Sequence, residues 1–141
     1  MEFSARIFGR PAAQGSKRHV GNGRFIEASR FLPEWRKAVS QGATEVARLC
    51  EWVTLDGPVE AHLVFYIGRP ASVKAEERPY PIKPPDLDKL ARAVCDSLTD
   101  AGIWEDDGQV VKLVCEKQYV NAEKSGVSIS VKKLDVNYPE G

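Results

Sequence analysis

The chain has 141 residues, of which 43% are hydrophobic and 28% charged. These are the proportions of one ordinary globular domain, and they exclude collagen-like, disordered and disulfide-scaffold classes. No apolar run approaches the roughly 20 residues of a membrane span, and Met1-Glu2-Phe3 lacks the layout of a signal peptide, so a cytoplasmic protein with no membrane partner is expected. Cys50, Cys95 and Cys115 are odd in number, show no C-x-x-C spacing, and read as buried free thiols. The 20 basic and 20 acidic residues cancel, but they are unevenly placed. Residues 1–50 hold nine Lys/Arg against four Glu, whereas residues 86–141 hold eleven Asp/Glu against seven Lys/Arg. A basic half beside an acidic knot suits a phosphate-bearing partner and a metal-held reaction centre, although an uneven solvated surface would look the same.

In chain order, Phe3, Ala5 and Ile7 alternate with polar neighbours and predict a strand that ends at Gly9-Arg10-Pro11. Residues 10–29 carry the cluster Lys17-Arg18-His19 and the turn signal Gly21-Asn22-Gly23, and read as a long basic loop facing a substrate. Trp35, Val39, Ala43 and Val46 recur at helical spacing and predict a helix over about 31–49. Val59, Ala61, Leu63 and Phe65 alternate after Gly57-Pro58 and predict a second, central strand. Five prolines between Pro70 and Pro85 exclude helix and leave an extended connection. Leu87, Leu90, Ala91, Val94, Leu98 and Ala101 define a helix face, with Gly102 placed as its C-terminal stop. Val111, Leu113 and Cys115, then Val127, Ile129 and Val131, predict a C-terminal hairpin. The expectation is a small α/β two-layer sandwich in the order β-α-β-α-β-β, with a mixed sheet of about four strands. One domain covers 1–134 and a tail covers 135–141.

The candidate chemistry lies in the carboxylates. Asp86 stands at the N-cap position of the second predicted helix and Asp88 in its first turn, where capping alone would account for one of them well. Two carboxylates at a helix start, with a third nearby, also meet the demand of Mg²⁺ for hard oxygen ligands. Asp106-Asp107-Gly108 is readable as turn chemistry as well. An EF-hand frame starting at Asp86 fails, because its sixth position is Ala91 and its twelfth is Ser97. The D-x-D pattern of sugar-nucleotide transferases is too short to count, and no nucleotide-cofactor motif accompanies it. With only His19 and His62, a histidine nuclease or zinc site lacks ligands.

The segment KPPDLDKLARAVCDSLTDAGIWEDDGQVVKLVCEK, residues 83–117, resembles the core of the RusA-type Holliday junction resolvases. The resemblance rests on D-L-D opening a helix, D-S-L-T in its last half, G-I-W after it, and D-D-G-Q-V-V opening a strand, in that order. It implies a phage or prophage homodimer that resolves four-way DNA junctions in recombination and repair by paired symmetric nicks. The implied cofactor is Mg²⁺, with Mn²⁺ as a substitute. The family's essential acids fall on Asp86, Asp88 and Asp107. The chain departs from the family pattern at Lys89, where many members have Asn, and at Arg92, where a functional Lys is usual; a planar guanidinium is not equivalent to an ammonium.

On this reading Asp86, Asp88 and Asp107 hold the metal, Lys89 or Arg92 neutralises charge on the phosphate, and Lys17, Arg18 and Arg24 hold backbone phosphates. Asp88, Arg92 and Asp96 are also spaced for an intrahelical ion-pair row. Alternation places Asp107 on the face of Val111, Leu113 and Cys115, unless Gly108 seats a bulge. Residues 88–101 span about 20 Å of helix, which favours a site completed across a two-fold axis over one built within a single chain. The rivals are a non-catalytic junction binder of the same fold and a structural protein with no nucleic-acid role.

Overall fold

The computed structural model describes residues 1–15, 17–19, 25–27 and 30–135, with backbone only for 17–19 and 25–27. Alternation builds β1 (Glu2–Phe8), whose Phe3 and Ile7 are buried. Two short strands, β2 (Lys17–His19) and β3 (Phe25–Glu27), pair antiparallel in the segment expected to be an unpaired loop. At three residues each they are too short for periodicity to reveal. The helix α1 (Leu32–Leu49) takes Pro33 in its first turn and buries Leu32, Trp35, Val39 and Ala43, at the expected spacing. The central strand β4 (Val59–Gly68) buries Val59, Ala61, Leu63 and Phe65. The helix α2 (Leu87–Asp100) ends at Ala101, and Gly102 follows at φ +73, the left-handed geometry a helix stop requires. β5 (Val110–Val120) and β6 (Gly126–Lys133) complete the chain.

The four-stranded sheet runs β1-β6-β4-β5, with β6 antiparallel to both β1 and β4, and β5 parallel to β4. The expected hairpin of the last two strands is therefore absent: β4 lies between them. The reason is the βαβ unit, in which α2 carries the chain back so that β5 enters parallel to β4. Val127, Ile129 and Val131 join the β1 and β4 core residues on the inner face, against which α2 packs Leu90, Val94 and Leu98. Cys95 is buried, but Cys115 is half-buried and Cys50 exposed, so only one of the three cysteines is the buried thiol expected. Among the described residues no helix is long and apolar enough to cross a membrane.

Candidate active site

Pro85 disfavours helical geometry at Pro84, and α2 starts after the extended Asp86 (φ −72, ψ 137). The Asp86 carboxylate does not cap the helix: it makes no hydrogen bond to the first-turn amides and instead lies 3.5 Å from Lys89 Nζ. This overturns the capping account and leaves the Asp86 oxygens pointing to solvent. Asp88, one turn in, is exposed beside it. Both carboxylates stand at the positive end of the helix dipole.

Asp106 and Asp107 behave differently. Asp106 Oδ2 accepts a hydrogen bond from the Gly108 amide (2.9 Å), and Gln109 Oε1 accepts from the Asp106 amide (2.8 Å), closing a capping box on the 3-10 turn Asp107–Gln109. Asp106 is thus occupied structurally, while Asp107 is exposed. Asp107 lies on this turn, not on a strand, so alternation does not set its direction. The register also shifts within β5, where Val59 faces Val110 and Glu60 faces Lys112. The shift turns Val111 out to 64% exposure, away from the face that Leu113 and Cys115 share with Ala61 and Leu63.

Burial, then the neighbouring Cys115, then the charge of Asp107 push the Cys95 thiol up to about 12. The 3-10 turn that carries Asp107 packs against α2. Asp86 and Asp88 suit a hard divalent cation, but among the described residues no three Asp, Glu, His or Cys side chains are close enough to hold an ion. A single chain brings two of the three expected acids to one helix end and leaves Asp107 outside that pair. The ion-pair row on α2 is not formed either. Asp96 accepts a hydrogen bond from Gln14 instead, and Arg92 lies under Gly15, where a Cβ would meet its Nη1 at 2.9 Å.

A cavity of about 760 Å³ opens where β1, β4 and β5 end and α2 begins, walled by Ile67, Pro81 and Pro85. The carboxyl end of strands that feed a helix start is where open α/β sheets bind ligands. Arg10, Arg69, Arg78 and Lys83 border the cavity, and none of them is paired with a carboxylate among the described residues. Neutral partners orient them: Arg10 lies over the Phe31 ring at 3.8 Å, Arg69 over Tyr119 at 4.3 Å, and Arg78 donates to the Tyr119 hydroxyl at 3.4 Å. Sequence reading missed all four: Arg10 follows β1, and Arg69, Arg78 and Lys83 lie in or beside the proline-rich run, whose local signal was only an extended chain. Of the cations expected to bind DNA, Lys17 and Arg18 are placed on β2 by backbone alone, and Arg24 lies outside the described residues.

On a two-layer α/β fold, an exposed carboxylate pair thus stands at a helix start, next in the chain to a cavity bordered by cations that have no carboxylate partner among the described residues. The family model for endodeoxyribonuclease RusA matches residues 9–132, and the chain belongs to that family of Holliday junction resolving nucleases. It is accordingly an endodeoxyribonuclease, of a kind that generally uses divalent metal ions. No curated protein matches the chain at a significant level.

Proposed function

We propose that this protein resolves four-way DNA junctions by Mg²⁺-dependent hydrolysis of phosphodiester bonds, acting as a homodimer that makes paired symmetric nicks from one domain spanning 1–134. The observation that carries the reading is the exposed pair Asp86 and Asp88 at the start of α2, directly after the prolines that line a cavity whose bordering cations lack carboxylate partners among the described residues. Asp86, Asp88 and Asp107 would hold the metal. Such an ion would supply a Lewis acid for the scissile phosphate and would lower the pKa of an attacking water. Lys89, beside Asp86, and Arg92, on the next turn, supply positive charge where negative charge builds on the phosphate.

The proposed dimer would form through β5, which among the described residues is an open edge of the sheet with Val111, Leu113 and Val114 exposed. A bare apolar edge invites strand pairing. Antiparallel pairing of two copies about Val114 sets Lys112 of each opposite Glu116 of the other, and Lys117 opposite Val111. Lys117 Nζ donates to the carbonyls of Lys83 (3.0 Å) and Pro85 (2.8 Å), directly below the start of α2. The same register therefore carries the 3-10 turn of one copy toward Asp86 and Asp88 of the other, so each site is completed by the second chain's Asp107.

The test is incubation of the purified protein with a labelled four-way junction, a Y-fork and linear duplex, with and without Mg²⁺ or Mn²⁺. Symmetric nicks in the junction alone, dependent on metal, are expected. Asp86→Asn, Asp88→Asn and Asp107→Asn should each abolish nicking and leave junction binding intact. Retention of junctions with no nicking under any metal would make the protein a junction binder instead.

A further inference from the structure

The cavity at the strand ends differs from an ordinary duplex-contacting surface. Duplex backbone presents a convex ridge and is held by cations on open surface. This site is concave, with a volume in the range of small-ligand pockets and apolar walls at Ile67, Pro81 and Pro85. Its charge is net positive: Arg10, Arg69, Arg78 and Lys83 border it, and Glu123, the carboxylate on its wall, forms no ion pair with any of them among the described residues. Arg69 is stacked on Tyr119 and donates to the Arg78 carbonyl, and Arg78 donates to the Tyr119 hydroxyl, so the two guanidiniums and the ring form one half-buried unit. Because ring, carbonyl and hydroxyl are neutral, both positive charges remain for a ligand. A guanidinium offers a phosphate a planar fork and a base a stacking plane. Pro84 and Pro85 line the cavity, and the exposed Asp86 is the next residue in the chain.

We propose that this cavity seats one unpaired nucleotide of the DNA strand next to the cut, its phosphate between Arg69 and Arg78, its sugar and base against Ile67, Pro81 and Pro85. The inference rests on the endonuclease reading and specifies what lies beside the reacting phosphate. A base can enter a concave apolar site only after leaving the stack, and that costs least at a branch point where pairing is already broken. The cavity then makes Arg69, Arg78 and Tyr119 determinants of the preference for branched over linear DNA.

The experiment uses the full chain and four-way junctions carrying 2-aminopurine, one position at a time, around the branch, in Ca²⁺ so that binding is read without cleavage. Wild-type protein is expected to change the fluorescence at one position next to the cut. Arg69→Gln with Arg78→Gln should remove that change and weaken junction binding about tenfold or more. Loss of one phosphate contact should also lower the salt slope for a single-stranded arm by about 0.7. If the double variant fails to fold by circular dichroism, Tyr119→Phe with Lys83→Gln replaces it. Unchanged fluorescence and slope in a folded variant would overturn the proposal. So would deoxythymidine monophosphate binding as tightly as the oligonucleotide, because the site would then take free nucleotides. Wild-type protein that shifts the probe but never nicks DNA leaves the cavity assignment standing and removes the endonuclease reading.

Discussion

Glu60 shows how one charge can be buried on the solvent side of a sheet. It points outward from β4 and is only 5% exposed, because Lys112, His62 and Lys132 close over it. Hydrogen bonds from Lys112 first, and then from His62 and Lys132, hold its carboxyl down at about 2. A carboxylate whose folded pKa lies below its unfolded value near 4.5 stabilises the fold above that value, and the contribution disappears as pH falls from about 4.5 toward 2. Urea midpoints should therefore drop across this window in the wild type and drop less in Glu60→Gln. Gly126 is constrained in another way. At φ +150, a Cβ there would lie 1.9 Å from the Ile7 carbonyl oxygen, inside the β1–β6 ladder. Gly126→Ala should cost about 3 kcal/mol, from strain plus forced separation of two strands. That corresponds to a fall of about 10 °C in melting temperature.

Among the elements, α2 was the most legible, because six apolar positions on one face, a proline pair before it and a glycine after it all agree. β5 was legible as a strand and misread in its partner. Val111 to Cys115 alternate in sequence, but the register shift at Val111 breaks that alternation, and neighbouring strands suggest a hairpin unless a helix has already reversed the chain. Asp107 illustrates the same limit: its identity was readable, whereas its direction depends on a capping box made by Asp106 and Gln109. The open edge of β5 gives the element a measurable property. Val114→Lys places two like charges face to face at the centre of the proposed pairing, and sedimentation should show a monomer with unchanged circular dichroism. A variant that stays dimeric would move the interface away from β5.

At the scale of the molecule, the cavity at the strand ends was invisible beforehand. Its borders come from the ends of β1, β4 and β5 and from the loop before α2, and no spacing in a linear chain encodes that meeting. The proposed completion of each site by the second chain's Asp107 is tested by subunit mixing. Asp88→Asn and Asp107→Asn homodimers should each be inactive, whereas their mixture should recover nicking at one site per heterodimer. Recovery equal to zero, with subunit exchange shown by mass, would confine the three acids to one chain.

The order β1-β6-β4-β5 also bears on how the molecule comes into being. The first strand made is paired with the last, and β6 alone joins β1 to β4. While the ribosome has yet to deliver residues 126–133, β1 has no partner in the sheet and one side of β4 is bare. The β4-α2-β5 unit, with the start of the acidic site, is local enough in sequence to assemble earlier. Phe3 and Ile7, by contrast, must wait more than a hundred residues for Val131 and Val127. Nascent chains stalled at Lys124 should therefore be cut by protease within β1, and chains extended past Lys133 should resist, so that the enzyme gains its closed sheet only when the final strand threads between the other two.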